Sequence, residues 1–159
     1  MHPTTDPQVL RARLAATKSF QDVGIILLYE AMKFLDGAEI VCGPISTGGF
    51  GNLKQNLAAF EGTILDLQAQ GRPILNQMPY EDKIFELKSA WLEVNPTSDY
   101  CWPTLWKIYF PTFAARLIKV AHFLPGSESS VGARWEKKWL AHFGAQINEL
   151  PQSYASKFV

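Results

Sequence analysis

Glu39-Ile40-Val41-Cys42-Gly43-Pro44-Ile45-Ser46-Thr47-Gly48-Gly49-Phe50-Gly51-Asn52 is the stretch on which the fold turns. Ile40, Val41 and Ile45 make a short apolar run bounded by turn residues, the pattern of a buried strand over residues 39–45. Positions 43–51 hold four Gly and one Pro, so a loop follows. Asn52 is a good N-cap, and behind it Leu53, Leu57, Phe60, Ile64 and Leu67 fall at spacings of four, three, four and three. That is one face of an amphipathic helix of about eighteen residues, with Gly71 at its C-terminal stop. Arg72-Pro73-Ile74-Leu75-Asn76 reads as the next strand. Strand, loop, helix and strand in this order require a parallel pair joined by a right-handed crossover.

Upstream, Asp6-Pro7 is an N-cap with Pro at the first helical position, predicting a helix to about residue 18. Ser19-Phe20-Gln21-Asp22 opens a second helix over 20–35, closed by Asp36-Gly37. Both precede the first strand, so residues 1–37 read as an N-terminal helical extension packing on the domain or on a partner. Downstream, a helix is expected over 83–92, then a break from Asn95-Pro96 to Pro103 and an aromatic helix reaching about residue 116. Residues 117–124 form a near-continuous apolar strand stopped by Pro125-Gly126. Residues 127–130 cap a helix over 131–143 closed by Gly144, and 145–147 fit a last short strand. The fold class is α/β: a three-layer sandwich with a small, mostly parallel sheet of four to five strands, flavodoxin- or Rossmann-like, over residues 38–159.

The chain has 159 residues, enough for one domain that folds without disulfides or structural metal. Fifteen basic and fifteen acidic side chains cancel, which removes the basic face a nucleic-acid binder needs. The longest apolar run, residues 23–28, is far short of the ~20 residues of a membrane span, and the first residues lack the parts of a signal peptide. The composition reads as cytoplasmic, with no nucleic-acid or membrane partner. Cys42 and Cys101 are too few for a disulfide scaffold and are not spaced as a metal pair; His122 and His142 read as structural, and no metal is expected. Aromatic residues make up 13% of the chain, and Trp91, Trp102 and Trp106 crowd one segment, as core filling or as a wall for a base or a second subunit.

Open parallel sheets bind ligands at the carboxyl ends of their strands. Two loops fit here. The 43–51 loop offers bare amides beside a helix start, suiting an anion or a ribose hydroxyl, although its spacing is neither a P-loop nor a dinucleotide fingerprint. The second, 127–136, carries Glu136 on the same helical face as Leu140 and Phe143, the face that should meet the protein. A carboxylate there costs several kcal/mol unless it is paired or lines a cavity, so it is either functional or turned to the rim against Arg134 or Lys119. Ser130 and Glu136 are six residues apart, about 9 Å of helix rise, one sugar's length between a phosphate held at the helix start and the carboxylate.

The run Phe123-Leu124-Pro125-Gly126-Ser127-Glu128-Ser129-Ser130-Val131-Gly132-Ala133-Arg134-Trp135-Glu136 resembles the nucleoside 2-deoxyribosyltransferase-like superfamily. Val41-Cys42-Gly43-Pro44-Ile45 and Gly71-Arg72-Pro73-Ile74-Leu75-Asn76 resemble its first two strands, and the matches span residues 39–147. The resemblance implies cleavage of an N-glycosidic bond without a cofactor. Glu136 would be the nucleophile attacking the anomeric carbon of a (deoxy)nucleoside or its 5′-monophosphate, with the sugar then passed to water or to another base. Ser129, Ser130 and Gly132, with Gly43, Pro44, Ile45, Ser46, Gly48 and Gly49, would hold substrate and its phosphate. Lys119 stands where the family places an Asp, and Ser127 where it places a Trp. Asp82 or Glu81 would then serve as the acid, and Tyr80 would contact ribose or base. A homodimer is implied. The competing expectations are a catalytically inactive nucleotide-binding or sensing module, and a dimeric interaction protein.

Overall fold

The computed structural model describes residues 5–45, 49 and 51–158. Its centre is a parallel sheet of three strands, β1 (Ala38–Cys42), β2 (Ile118–Phe123) and β3 (Gln146–Glu149), in the order β1-β2-β3. Every residue of β1 is buried, as the continuous apolar run requires of a strand covered on both faces. Around the sheet lie α1 (Pro7–Ala15), α2 (Phe20–Met32), α3 (Leu53–Ala69), α4 (Glu81–Val94), α5 (Phe110–Ala114) and α6 (Val131–His142). The fold is thus α/β with a small open parallel sheet.

Alternation along the strands divides the interior. Ile40 and Cys42 of β1, with Ala121 and Phe123 of β2, face a large core shared with α2, the segment before α5, α5 and α6 through Leu27, Ile108, Phe113, Trp135 and Leu140. Val41 and Leu124 point to the other side, onto Phe60, Ile64 and Leu67 of α3. The apolar spacing that predicted α3 is the stripe that docks there, and the side chain of Asn52 accepts from Gln55 N at 3.2 Å as the expected N-cap. α1 and α2 pack on the domain itself, placing Leu10, Leu14, Val23, Leu27 and Ala31 in the large core. Gly24 permits that approach. A Cβ on it would lie 2.2 Å from the Lys107 carbonyl oxygen.

One expectation needs correction. Residues 72–76 do not extend the sheet to four or five strands; they meet β1 in a single parallel bridge between Ile74 and Glu39. Pro73 has no N–H to give, and the next carbonyl of β1, Val41 O, is taken by the side chain of Gln77, whose Nε2 donates to it at 2.8 Å. The chain then leaves in a 3-10 turn at Met78–Tyr80. The aromatic helix forms as one run over residues 102–114; its middle is π-helical at Thr104–Tyr109, and Pro111, just beyond, gives no N–H to the regular ladder.

A polar chain crosses the three strands on the α3 side. Asn148 Nδ2 donates to His122 Nδ1 at 2.8 Å, leaving the ring N–H at Nε2 to donate to Glu39 Oε1 at 2.7 Å. Arg72 Nε donates to the same oxygen at 2.9 Å. His122 thus links β1 and β3 through its two ring nitrogens.

Candidate functional site

The site lies beyond the C-terminal ends of β1 and β2, where β2 hands over to α6. Gly126 turns the chain at φ 85°, a conformation that favours glycine, and a 3-10 turn at Ser127–Ser129 leads to Ser130. Ser130 caps α6, its Oγ accepting from Ala133 N at 3.2 Å. Ser129 Oγ donates to Gly126 O at 2.6 Å and accepts from Gly49 N at 3.1 Å, so the α6 loop and the glycine loop after β1 are joined.

From this start α6 turns Trp135 and Leu140 into the large core, and Glu136 shares their buried side at 9% exposure. Neither Arg134 nor Lys119 holds it at the rim. Arg134 Nη1 donates to Glu128 O at 2.8 Å, and Lys119 is exposed on β2. Instead Cys42, the last residue of β1, donates its thiol to Glu136 Oε2 at 3.6 Å. Glu136 lines a small cleft of about 60 Å³ that opens to solvent. Gly43, Ile45, Ser130 and Gly132 line it together with Glu136, bringing five of the expected site residues to one place.

The opposite wall comes from α4 and the π-helical turn. Glu81, Ile84 and Lys88 line it from α4; Tyr100, Thr104 and Tyr109 complete it. Burial pushes the Glu136 carboxyl up to about 8, opposed by the Cys42 hydrogen bond and reinforced by the charge of Glu81. Glu81 is pushed up to about 7 by burial, with Lys88 opposing and Asp82 adding. Burial also raises Tyr100 and Tyr109, and both hydroxyls feel Glu136. The Cys42 thiol is raised by burial and then by Glu136, so it stays protonated and acts as a donor. Two carboxyls that both titrate near neutrality share one cleft, a pairing suited to one acting as acid while the other is ionised.

The other expected residues are distributed around this arrangement. Pro44 is buried against Gly49, where an added Cβ would lie 2.7 Å from its Cβ, and Ser129 stands exposed at the loop junction. Ser46 and Gly48 lie outside the described residues. Asp82 is exposed and lines neighbouring surface clefts, separate from the one that holds Glu136. Tyr80 is buried on the α1–α2 side in a cavity with Glu30 and Phe34, away from Glu136. Glu81, the alternative acid, is the carboxyl that reaches the cleft. Lys88, Tyr100, Thr104 and Tyr109 were not singled out from the sequence, yet Glu81, Ile84 and Lys88 at spacings of three and four already mark one face of α4.

Trp102 packs on Tyr100 with ring centroids 5.1 Å apart, backing a residue of the cleft wall. Trp106, 43% exposed, meets Trp135 and Trp139 of α6 edge-on at 5.2 and 5.5 Å. Trp91 is half-buried on α4. His142 stacks edge-on with Trp139 and Phe143, and among the described residues no three His, Cys, Asp or Glu come together to hold a metal ion. No helix among them is long and apolar enough to cross a membrane. Set against family models, curated proteins and solved structures, the chain matches none of them.

Proposed function

We propose that the chain cleaves the N-glycosidic bond of a nucleoside 5′-monophosphate or nucleoside and passes the sugar, through an ester on Glu136, to water or to a second base. The observation that carries the reading is the pairing of Glu136 with Glu81 in one cleft under the N-terminus of α6. The resemblance to the nucleoside 2-deoxyribosyltransferase-like superfamily supports the same assignment. A Glu136 oxygen gives an electron pair to C1′ as the C1′–N bond breaks. The bond pair leaves on the base nitrogen, which takes the proton of Glu81. The Glu81 carboxylate then removes a proton from water, whose oxygen displaces Glu136 from C1′ and restores both side chains.

The phosphate is held at the α6 start, where Ser130 and Gly132 line the cleft together with Gly43. Backbone amides and hydroxyls suffice for one small anion, which suits a chain of zero net charge. In this reading the protein is a cytoplasmic homodimer working without metal or organic cofactor.

The test is incubation with the common ribo- and 2′-deoxyribonucleoside 5′-monophosphates and their nucleosides, with free base measured by chromatography. Glu136→Ala abolishes release while ligand-induced thermal stabilisation persists. Base release at the wild-type rate from Glu136→Ala removes the assignment. Lys119 in the place of the family's Asp favours a second reading, a nucleotide-binding module without turnover. Stabilisation by a nucleotide with no base released selects it.

A further inference from the structure

Among the described residues Glu136 receives one side-chain hydrogen bond, and its donor is a sulfur. Cys42 is fully buried at the end of β1, and its Sγ lies 3.6 Å from Glu136 Oε2 on α6. The contact ties the end of the central strand to the helix that carries the proposed nucleophile. Oε1 has no hydrogen-bond partner among the described residues, and the side chain lines the cleft. A glutamate has three rotatable bonds, and an attacking oxygen misplaced by ~1 Å forfeits about 10²-fold in rate. Some contact must hold the carboxylate still.

The chemistry of the donor matters as much as its place. A hydroxyl or backbone amide on Oε2 would bind the anion strongly and draw off the electron density needed for attack. A thiol is a weak donor, long in reach, and fixes orientation with little loss of nucleophilicity. Cys42 is unsuited to be the nucleophile itself. It has no exposed surface, and burial beside Glu136 keeps its proton on.

We propose that Cys42 is the positioning residue of Glu136: the thiol holds Oε2 so that Oε1 meets the anomeric carbon. The inference rests on the reading of Glu136 as nucleophile. In the step itself Oε1 gives its electron pair to C1′, the C1′–N pair leaves on the base, Glu81 protonates that base, and Cys42 keeps its proton throughout. The titratable groups facing Glu136 are Cys42 from β1, Glu81 and Lys88 from α4, and Tyr100 and Tyr109 from the segment leading into α5.

Cys42→Ala and Cys42→Ser test this in the full chain, with the common nucleoside 5′-monophosphates as probes and free base as the readout across a pH series. Cys42→Ala lowers kcat on the order of 10²-fold with KM held within about twofold. Cys42→Ser restores the contact but recovers only part of kcat, and it moves the acidic limb of kcat/KM to lower pH, because its hydroxyl donates more strongly. A merely structural Cys42 would lower Tm and leave both kcat per folded molecule and the limb in place. Wild-type kcat and an unmoved limb in both variants, with Glu136→Ala inactive, overturn this inference and leave the nucleophile standing. Should Cys42→Ala fail to fold, the limb of the near-isosteric Cys42→Ser decides alone. Base release that survives Glu136→Ala, or none by the wild type, overturns the nucleophile and takes this inference with it.

Discussion

Gly132 lies so close to Tyr100 that a Cβ built on it would stand 2.7 Å from the phenolic oxygen. Both residues line the Glu136 cleft, and Gly132 is in the first turn of α6, where phosphate is proposed to bind.

The first prediction follows from that contact. Gly132→Ala adds one methyl group that meets the far end of a side chain, and alanine also favours the helix over glycine by about 1 kcal/mol. The fold tolerates it while Tyr100 is pushed into the cleft. We expect Tm to move by a few degrees at most and KM for a nucleoside 5′-monophosphate to rise about tenfold. Thermal melts and steady-state kinetics on the same preparation check this. Unchanged KM would exclude the α6 start from the substrate site.

The second prediction concerns pH and activity. The nucleophile must be ionised and the acid protonated, and Glu136 is pushed up to about 8 while Glu81 is pushed up to about 7. The productive form is thus the less populated of the two singly protonated states, and its share peaks between these values. kcat/KM should trace a bell with its maximum between about pH 7 and 8. Glu81→Gln removes the alkaline limb and lowers the rate for substrates with poor leaving bases most. Asp82→Asn, altering an exposed neighbour, leaves the bell near its place.

The choice between those neighbours shows where sequence reading reached its limit. The phase of α4 is set by the 3-10 turn at Met78–Tyr80, and one residue along a helix is a rotation of about 100°. Glu81 therefore enters the cleft while Asp82 faces outward, and Tyr80 is carried to the far side. No local pattern announces that turn. Nor does any pattern show that the side chain of Gln77 occupies the rung of Val41 that would have extended the sheet. The segment at 72–76 has strand composition and only one bridge. By contrast β1, α3 and α6 were legible, since each owes its place to an apolar period that packing preserves. Glu136 was legible for the same reason. A carboxylate on the stripe of Leu140 must be buried wherever that stripe is buried.

The third prediction is a linkage effect on stability. The folded-state carboxyl of Glu136 is raised from 4.5 to about 8, so between those values the folded chain binds more protons than the unfolded one. Stability is then full below about pH 4.5 and declines as pH rises through about 8. Glu136→Gln lacks this titration. Its advantage over the wild type should be small near pH 5 and grow towards pH 9, by on the order of 4 kcal/mol. Chemical denaturation at the two pH values measures the difference. An advantage independent of pH would mean that Glu136 is solvated and ionised throughout.

The fourth prediction separates the buried histidine from the chemistry. His122 is 1% exposed, and its ring bridges Asn148 of β3 and Glu39 of β1 on the α3 side of the sheet. The Glu136 cleft lies beyond the strand ends, lined from α4 and α6, and His122 is not among the residues that line it. His122→Ala leaves the buried Glu39 carboxylate with Arg72 alone and Asn148 without its acceptor, which costs about 3 kcal/mol. The melting temperature should fall by many degrees, yet kcat and KM of the folded fraction, assayed well below that temperature, should match the wild type. Glu39→Gln retains a hydrogen-bonding side chain of the same shape and should lose less stability than His122→Ala. A fall in kcat larger than the loss of folded protein would place His122 in the reaction.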